Sequence, residues 1–312
     1  ILCRMTGDSI TKPDWDQLLA QLKRGDQRSL ARCISLLENE STGYEQILEK
    51  LGSNESAAVI GITGPPGSGK SSLVDALIGE WIAEGKKVAV ICVDPTSPFH
   101  FGALLGDRLR MNAWYQHPGV FIRSLASRGA MGGLNPKIIE ITDILKTAGF
   151  DIIMIETVGV GQNEVDIAGL AETTVLVLTP GAGDDIQAMK SGILEIGDIF
   201  VVNKADLPNA DDLIRYLRSR NVIDNGAAKD EPIIKTIAIR KEGIGELKAL
   251  ILQHQQEFST SERKADLEAE KAWRLIIQKK MRRIDRKTLH QRIGEEIKNP
   301  GFNLYKFVSA FE

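Results

Sequence analysis

Residues Gly64-Pro65-Pro66-Gly67-Ser68-Gly69-Lys70-Ser71 gather the groups that a phosphate chain needs. Glycines let the backbone curl so that successive N–H groups turn inward on an anion. Lys70 stands where its ammonium can bridge β- and γ-phosphates, and Ser71 where its hydroxyl can coordinate magnesium. The pattern GxxxxGK[ST] is short, but its setting adds weight. An apolar run at 58–62 leads directly into it, and a helix-like stretch beginning with Ser72 leaves it. Strand, loop and helix in that order make a phosphate cradle, because the helix start near Gly69 adds its positive dipole end. Residues 64–72 are therefore read as nucleotide ligands.

A second polar cluster, Asn203-Lys204-Ala205-Asp206, closes the apolar run 199–203. A carboxylate in the position of Asp206 accepts two hydrogen bonds from guanine, one from N1–H and one from the 2-amino group. Adenine offers neither in that arrangement, and leaves a buried carboxylate unpaired. Lys204 is expected along the base plane, and Asn203 is expected to tie this loop to the phosphate loop. Ala238, after Thr236-Ile237, is the expected second base contact, though it matches the usual Ser-Ala pair less well. Together these read as a site for GTP and GDP.

Metal chemistry is expected beside them. Glu156-Thr157-Val158-Gly159 follows the apolar run 152–155 and stands as ExxG where many phosphate-loop proteins carry DxxG. Asp94 ends the run 88–93, and Asp107 lies farther on. Asp94, Asp107 and Glu156 form the expected carboxylate set around magnesium, with Ser71. Asp107 also reads as a carboxylate on a helix surface. No glutamine directly follows Gly159. Gln162 is the candidate for orienting the attacking water, while Arg108 or Lys190 are candidates for stabilising γ-phosphate charge. If no group is pre-positioned, intrinsic hydrolysis is slow and a partner must order the loops.

These residues need a scaffold. Short β-branched runs at 57–63, 87–93, 152–156, 174–179, 199–203 and 233–239 alternate with amphipathic stretches. Runs apolar on both faces belong in a helix-covered parallel sheet, so 57–258 reads as a doubly wound α/β domain. Residues 1–56 read as a helical extension. Asp14 precedes Trp15, Leu18, Leu19 and Leu22, Asp26 precedes Leu30, Ile34 and Leu37, and Gly43 marks a break before a short third helix. Residues 259–312 read as a helical tail, too short for a strong core of its own, that packs on the main domain or on a second copy of the chain.

Composition removes several classes. A net charge of -3 offers no general pull on nucleic acid or acidic membranes. The basic stretch 279–287 reads as a solvated helix face or dimer edge, because aromatic residues are not interleaved with it. Three scattered cysteines and four scattered histidines supply neither a disulfide framework nor a zinc pattern, which points to a reducing compartment. No stretch reaches the ~20 apolar residues of a membrane helix. The chain does not begin with Met. The expected location is the cytoplasm, or the mitochondrial matrix if a transit peptide has been removed.

Longer strings carry a resemblance. Val93-Asp94-Pro95-Thr96-Ser97, Gly106-Asp107-Arg108-Leu109-Arg110-Met111, Glu156-Thr157-Val158-Gly159-Val160-Gly161-Gln162-Asn163-Glu164 and Pro180-Gly181-Ala182-Gly183-Asp184-Asp185-Ile186-Gln187 resemble the MeaB/ArgK-type G proteins, a group that includes the methylmalonic aciduria type A protein. The likeness extends over nearly the whole chain. It implies a homodimer with a G domain of the metallochaperone/signal-recognition-like class. It also implies magnesium-dependent GTP hydrolysis and a role as chaperone to an adenosylcobalamin-dependent acyl-CoA mutase, chiefly methylmalonyl-CoA mutase, whose cofactor loading it gates. By the resemblance, Asp94, Asp107 and Glu156 fall on the family's metal-site carboxylates, and 184–190 on a switch loop facing the mutase. Pro98-Phe99-His100-Phe101 and Arg128 depart from the commonest pattern. The alternative is a nickel-type metal-insertion GTPase, disfavoured by the lack of clustered Cys or His, or another regulatory G protein. A transport ATPase or kinase is disfavoured by the guanine-reading loop.

Overall fold

The computed structural model describes residues 13–52, 57–94, 111–127, 134–157, 162–181, 192–220, 231–282, 284, 286–299 and 301–309. Its centre is a seven-stranded sheet in the order β3-β2-β4-β1-β5-β6-β7. The strands are β1 (Ala58–Thr63), β2 (Val88–Asp94), β3 (Val120–Ala126), β4 (Ile152–Glu156), β5 (Thr173–Leu178), β6 (Ile199–Asn203) and β7 (Ile233–Thr236). Every pairing is parallel. Strands β1, β4, β5 and β6 are buried along their whole length, which is why their sequences run apolar instead of alternating.

Helices cover both faces. Helix α4 (Lys70–Ala83) sets Leu73, Val74, Leu77, Ile78 and Trp81 against Ile60, Ile62, Val90 and Met154. Helix α7 (Ile244–Ser259) adds Ile244, Leu247 and Ile251 to the same core. Side chains alternate along a strand, so Gly61 faces the other side. There a Cβ would meet Ile167 Cγ1 at 2.4 Å, and the missing side chain lets the 3₁₀ segment Gln162–Gly169 lie close on β1. Helix α5 (Ile138–Thr147) buries Ile138, Ile141, Ile144 and Leu145. Helix α6 (Ala210–Arg220) packs Leu213 and Leu217 with Leu176, Leu178, Phe200 and Val202.

Strand β3 was not among the six runs expected. Phe121-Ile122-Arg123-Ser124 places a guanidinium in the middle of the segment, which argues against burial. The strand lies at the sheet edge, and α2 (Gln27–Glu38) supplies what the arginine needs. Arg123 donates to Glu38 Oε2 at 2.8 Å and to Ser35 Oγ at 3.0 Å. A second difference lies at the end of β7, which stops at Thr236 and gives way to a 3₁₀ turn, Ala238–Arg240.

The N-terminal helices form as their caps dictate. Asp14 accepts from Gln17 N–H ahead of α1 (Trp15–Lys23), and Asp26 from Ser29 N–H ahead of α2. Gly43 takes φ 86° before α3 (Tyr44–Leu48). Lys137, buried at the start of α5, lies over the Tyr44 ring and pairs with Glu40 at 3.0 Å and Glu140 at 3.2 Å. Its burial opposes the charge, but the neighbouring carboxylates and the Tyr44 hydroxyl outweigh that and raise its pKa.

The chain divides into two compact units, Ile1–Lys264 and Ala265–Glu312. The N-terminal helices thus belong to the same unit as the sheet. Helix α8 (Arg263–Met281) carries the chain into the second unit, which continues with α9 (Arg286–Glu296) and α10 (Leu304–Ser309). That unit exposes Trp273, Ile276, Ile277, Met281, Ile297, Tyr305 and Val308. Among the described residues no helix is long and apolar enough to cross a membrane.

Candidate nucleotide-binding site

Parallel strands bring their carboxyl ends to one edge, the edge where ligands bind in open α/β sheets. Thr63, Asp94, Glu156, Leu178, Asn203 and Thr236 end β1, β2, β4, β5, β6 and β7 there. Gly64 leaves β1 with φ +141°, and a Cβ would sit 2.1 Å from Val177 O of the neighbouring strand. Only glycine passes that point, so the loop can turn at once. Gly67 and Gly69 also take positive φ.

Lys70 is the first residue of α4 and is buried. Its Nζ donates to the carbonyls of Gly64 at 2.7 Å and Pro65 at 3.1 Å. The loop thus curls around a largely desolvated cation, and a desolvated cation attracts an anion far more strongly than one in water. Ser68 is fully buried with its Oγ unpartnered.

Ser71 Oγ donates to Glu156 Oε1 at 2.6 Å, and both residues are buried. β4 lies between β1 and β2, and register sets Glu156 beside Ile62 on one side and Cys92 on the other. Cys92 Sγ is 4.0 Å from Glu156 Oε2. Thr157 Oγ1 donates to Thr63 Oγ1 at 2.9 Å and fixes the exit of β4 against that of β1. A hydroxyl and a buried carboxylate are hard oxygen donors, the set that suits magnesium.

The other expected metal and catalytic residues lie at or beyond the limits of the described residues. Asp94 closes β2, two residues past the position level with Glu156, but its side chain is outside what is described. Asp107, Arg108, Gly159, Lys190 and the segment 184–190 lie outside the described residues, as do Pro98 to Phe101 and Arg128. Gln162 opens the 3₁₀ segment, with its side chain likewise undescribed.

The loop after β6 is tied to the phosphate loop at two points. Asn203 Nδ2 donates to Ser68 O at 2.8 Å, and Lys204 Nζ to Gly67 O at 2.8 Å. Asn203 Oδ1 accepts from Ala238 N–H at 3.1 Å and from Thr236 Oγ1 at 3.1 Å. One amide side chain therefore joins the phosphate loop to the two loops expected at the base. Asp206 projects part-exposed beside them, with Arg240 at 3.9 Å. Arg240 was not singled out from sequence; it stands two residues past Ala238, and a basic residue after the base loop was the available signal. Cys92 and the Thr63–Thr157 pair were also missed, since they show themselves only through strand register.

Gly69 gives a sharp test. At φ +93° an added Cβ would come within 2.3 Å of Asn203 Nδ2. Gly69→Ala is expected to break the tie to Ser68 and weaken GDP binding roughly tenfold, from backbone strain plus one lost hydrogen bond. Calorimetric titration with GDP checks it; unchanged affinity in a folded variant refutes it.

Comparison with known proteins agrees with this geometry. The family model described as methylmalonyl-CoA mutase-associated GTPase MeaB matches residues 30–292. A Pyrococcus horikoshii protein that bears a GTPase name is 47% identical over 258 residues, covering 80% of this chain and 81% of that one. GTPase ArgK of Escherichia coli is 32% identical over 255 residues, covering 78% and 77%. The mitochondrial methylmalonic aciduria type A homolog of Caenorhabditis elegans is 36% identical over 217 residues, covering 64% of this chain and 54% of that protein. The crystal structure of a LAO/AO transport system kinase superposes with a TM-score of 0.66 at 22% identity, covering 97% and 98%, and so shares the fold. The match to residues 30–292 takes in most of the chain, including the phosphate loop with its buried lysine and the NKxD loop tied to it: this chain belongs to the MeaB family of GTPases.

Proposed function

We propose that the chain hydrolyses GTP with magnesium and uses the cycle to gate cofactor loading and protection of an adenosylcobalamin-dependent acyl-CoA mutase. The observation that carries the nucleotide part is the buried Ser71–Glu156 pair beside the Lys70 cradle. The mutase part rests on the family description. In this reading backbone N–H groups of 64–72 bind the phosphates, and Lys70 exchanges its two carbonyl partners for β- and γ-phosphate oxygens. Ser71 and Glu156 hold magnesium, joined by Asp94 and Asp107. Magnesium, when bound, neutralises charge on the β- and γ-phosphate oxygens. Asp206 reads guanine N1–H and the 2-amino group, Lys204 lies along the base, and Ala238 N–H serves the base's carbonyl edge. Gln162 orients the attacking water, and Arg108 or Lys190 stabilises charge on the γ-phosphate.

The division of labour follows the chain: 57–258 as G domain, 1–56 bracing its edge, and 259–312 pairing two copies as a homodimer. The apolar side chains exposed on α8 to α10 support that pairing. The scattered cysteines fit a reducing compartment such as the cytoplasm or mitochondrial matrix.

The decisive experiment is GTP turnover with magnesium, with and without a purified adenosylcobalamin-dependent acyl-CoA mutase from the same source, with ATP as control. The expected result is GTP-selective turnover that rises at least severalfold with the mutase. Turnover indifferent to the mutase refutes the chaperone role and leaves the GTPase.

A further inference from the structure

At the opposite, amino-terminal edge of the sheet lies a cluster that nucleotide chemistry does not use. Thr173 opens β5, Asp198 immediately precedes β6, and Pro232 immediately precedes β7. With His254, Glu257 and Phe258 of α7, and with Glu231, Ser261 and Arg263, these residues border a cavity of about 290 Å³ or lie directly against it. Asp198 is the anchor. Its side chain is only 3% exposed, and its Oδ2 accepts from Thr174 N–H at 2.8 Å. Its Oδ1 accepts from Arg263 at 2.7 Å. Arg263 is the first residue of α8, so this ion pair fastens the start of that helix to the sheet.

His254 stands within reach of both partners. Its Nδ1 lies 2.8 Å from Thr173 Oγ1. Its Nε2 lies 3.4 Å from the Arg263 guanidinium and 3.6 Å from Asp198 Oδ1. Arginine can only donate, so Nε2 faces it as an acceptor. In that state the ring is neutral, with its proton on Nδ1 and donated to Thr173. A second proton would turn Nε2 into a donor aimed at a donor. Two cations would then face one desolvated carboxylate oxygen. Arg263 is 45% exposed and can pass to water, whereas His254 is 18% exposed and held by Thr173. Among the described residues, Glu231 before β7 and Glu257 on α7 also line the cavity, and as acidic groups they favour the imidazolium. Glu257 also accepts from Gln253 at 3.0 Å.

We infer that Asp198, His254 and Arg263 form a proton-operated clasp: protonation of His254 takes Asp198 from Arg263 and releases the first turn of α8. An unperturbed imidazole titrates near pH 6.5, so the range from pH 8 to 5.5 tests whether protonation opens the clasp. The device is independent of the nucleotide reading, since none of its residues touches the phosphate or base loops.

The test is amide hydrogen exchange on the full chain between pH 8 and 5.5, corrected for the intrinsic pH dependence of exchange. The amides to follow are those of Leu267 to Glu270, whose acceptors are the carbonyls of the first turn of α8. Wild type is expected to lose protection about five- to tenfold as the His254 ring signal titrates by NMR. His254→Gln, which keeps a neutral polar side chain, should stay protected at both ends of the range. Arg263→Gln should be weakly protected at both. GDP affinity serves as the folding check for both variants. Protection that stays flat in wild type, a His254 ring that does not titrate in this range, or pH-dependent loss that persists in His254→Gln would each overturn the clasp.

Discussion

Lys70→Ala is expected to lower affinity for GDP and GTP on the order of 100-fold to 1000-fold in a fluorescent-nucleotide titration. The size follows from burial. The ammonium sits inside the loop, held by the carbonyls of Gly64 and Pro65 at 2.7 and 3.1 Å, and is almost wholly removed from water. Phosphate oxygens entering that loop meet a cation whose hydration has already been given up on folding. Removing it leaves charged oxygens without their counter-charge, an effect of about 3–5 kcal/mol for buried pairs. Hydrogen bonds to charged groups, at about 1.5–3 kcal/mol each, lead to the same range. The variant should still fold, because alanine is the better helix former and Lys70 contributes no apolar core packing. Unchanged affinity would remove Lys70, and with it the loop, from the phosphate role.

Asp206→Asn should move preference from guanine to xanthine nucleotides. An ionised carboxylate accepts from both N1–H and the 2-amino group. An amide accepts at one atom and donates at the other, so it faces the 2-amino group with its own donor. Two charge-assisted hydrogen bonds are lost and one donor–donor clash is gained, which predicts at least ~100-fold weaker GDP binding. Xanthine carries a carbonyl where guanine carries the amine, and the same amide satisfies it. Asp206 is well placed for such a switch. The backbone around it is pinned by Asn203 and Lys204 to the phosphate loop and by Ala205 N–H to Thr236 O at 3.1 Å, so the side-chain change need not move the loop. A variant that still prefers GDP to XDP would exclude Asp206 as the base reader.

The phosphate loop and the base loop were legible because their chemistry is local. Glycines, a lysine and a hydroxyl must be adjacent in sequence to curl around one phosphate chain. The apolar strands were legible for the same kind of reason, since burial on both faces keeps β1, β4, β5 and β6 apolar except at the ends where Thr63, Glu156, Thr173, Thr174 and Asn203 stand. Strand β3 escaped because its key contact is not local. Arg123 is half-buried only because Glu38 and Ser35 arrive from a helix far back in the chain. The clasp escaped likewise. Asp198, His254 and Arg263 look like ordinary surface residues until β6, α7 and α8 bring them together. The Ser71–Glu156 pair stands between these cases. Ser71 and Glu156 could be named from their strings, but their 2.6 Å contact depends on β4 lying beside β1.

The wholly parallel sheet also bears on how the protein is made. No two adjacent strands are joined by a hairpin, and β1 waits for β4 and β5, which lie far downstream. The bond from Asn203 to Ser68 spans 135 residues. At a synthesis rate of about 5–20 residues per second, the phosphate loop would leave the ribosome on the order of ten seconds before its base loop exists. Such long-range pairing folds slowly, with an unpaired apolar strand exposed meanwhile. Nucleotide binding in this chain therefore waits until synthesis has passed Asn203: a nascent chain ending before it carries the whole phosphate motif and lacks the side chain that closes it.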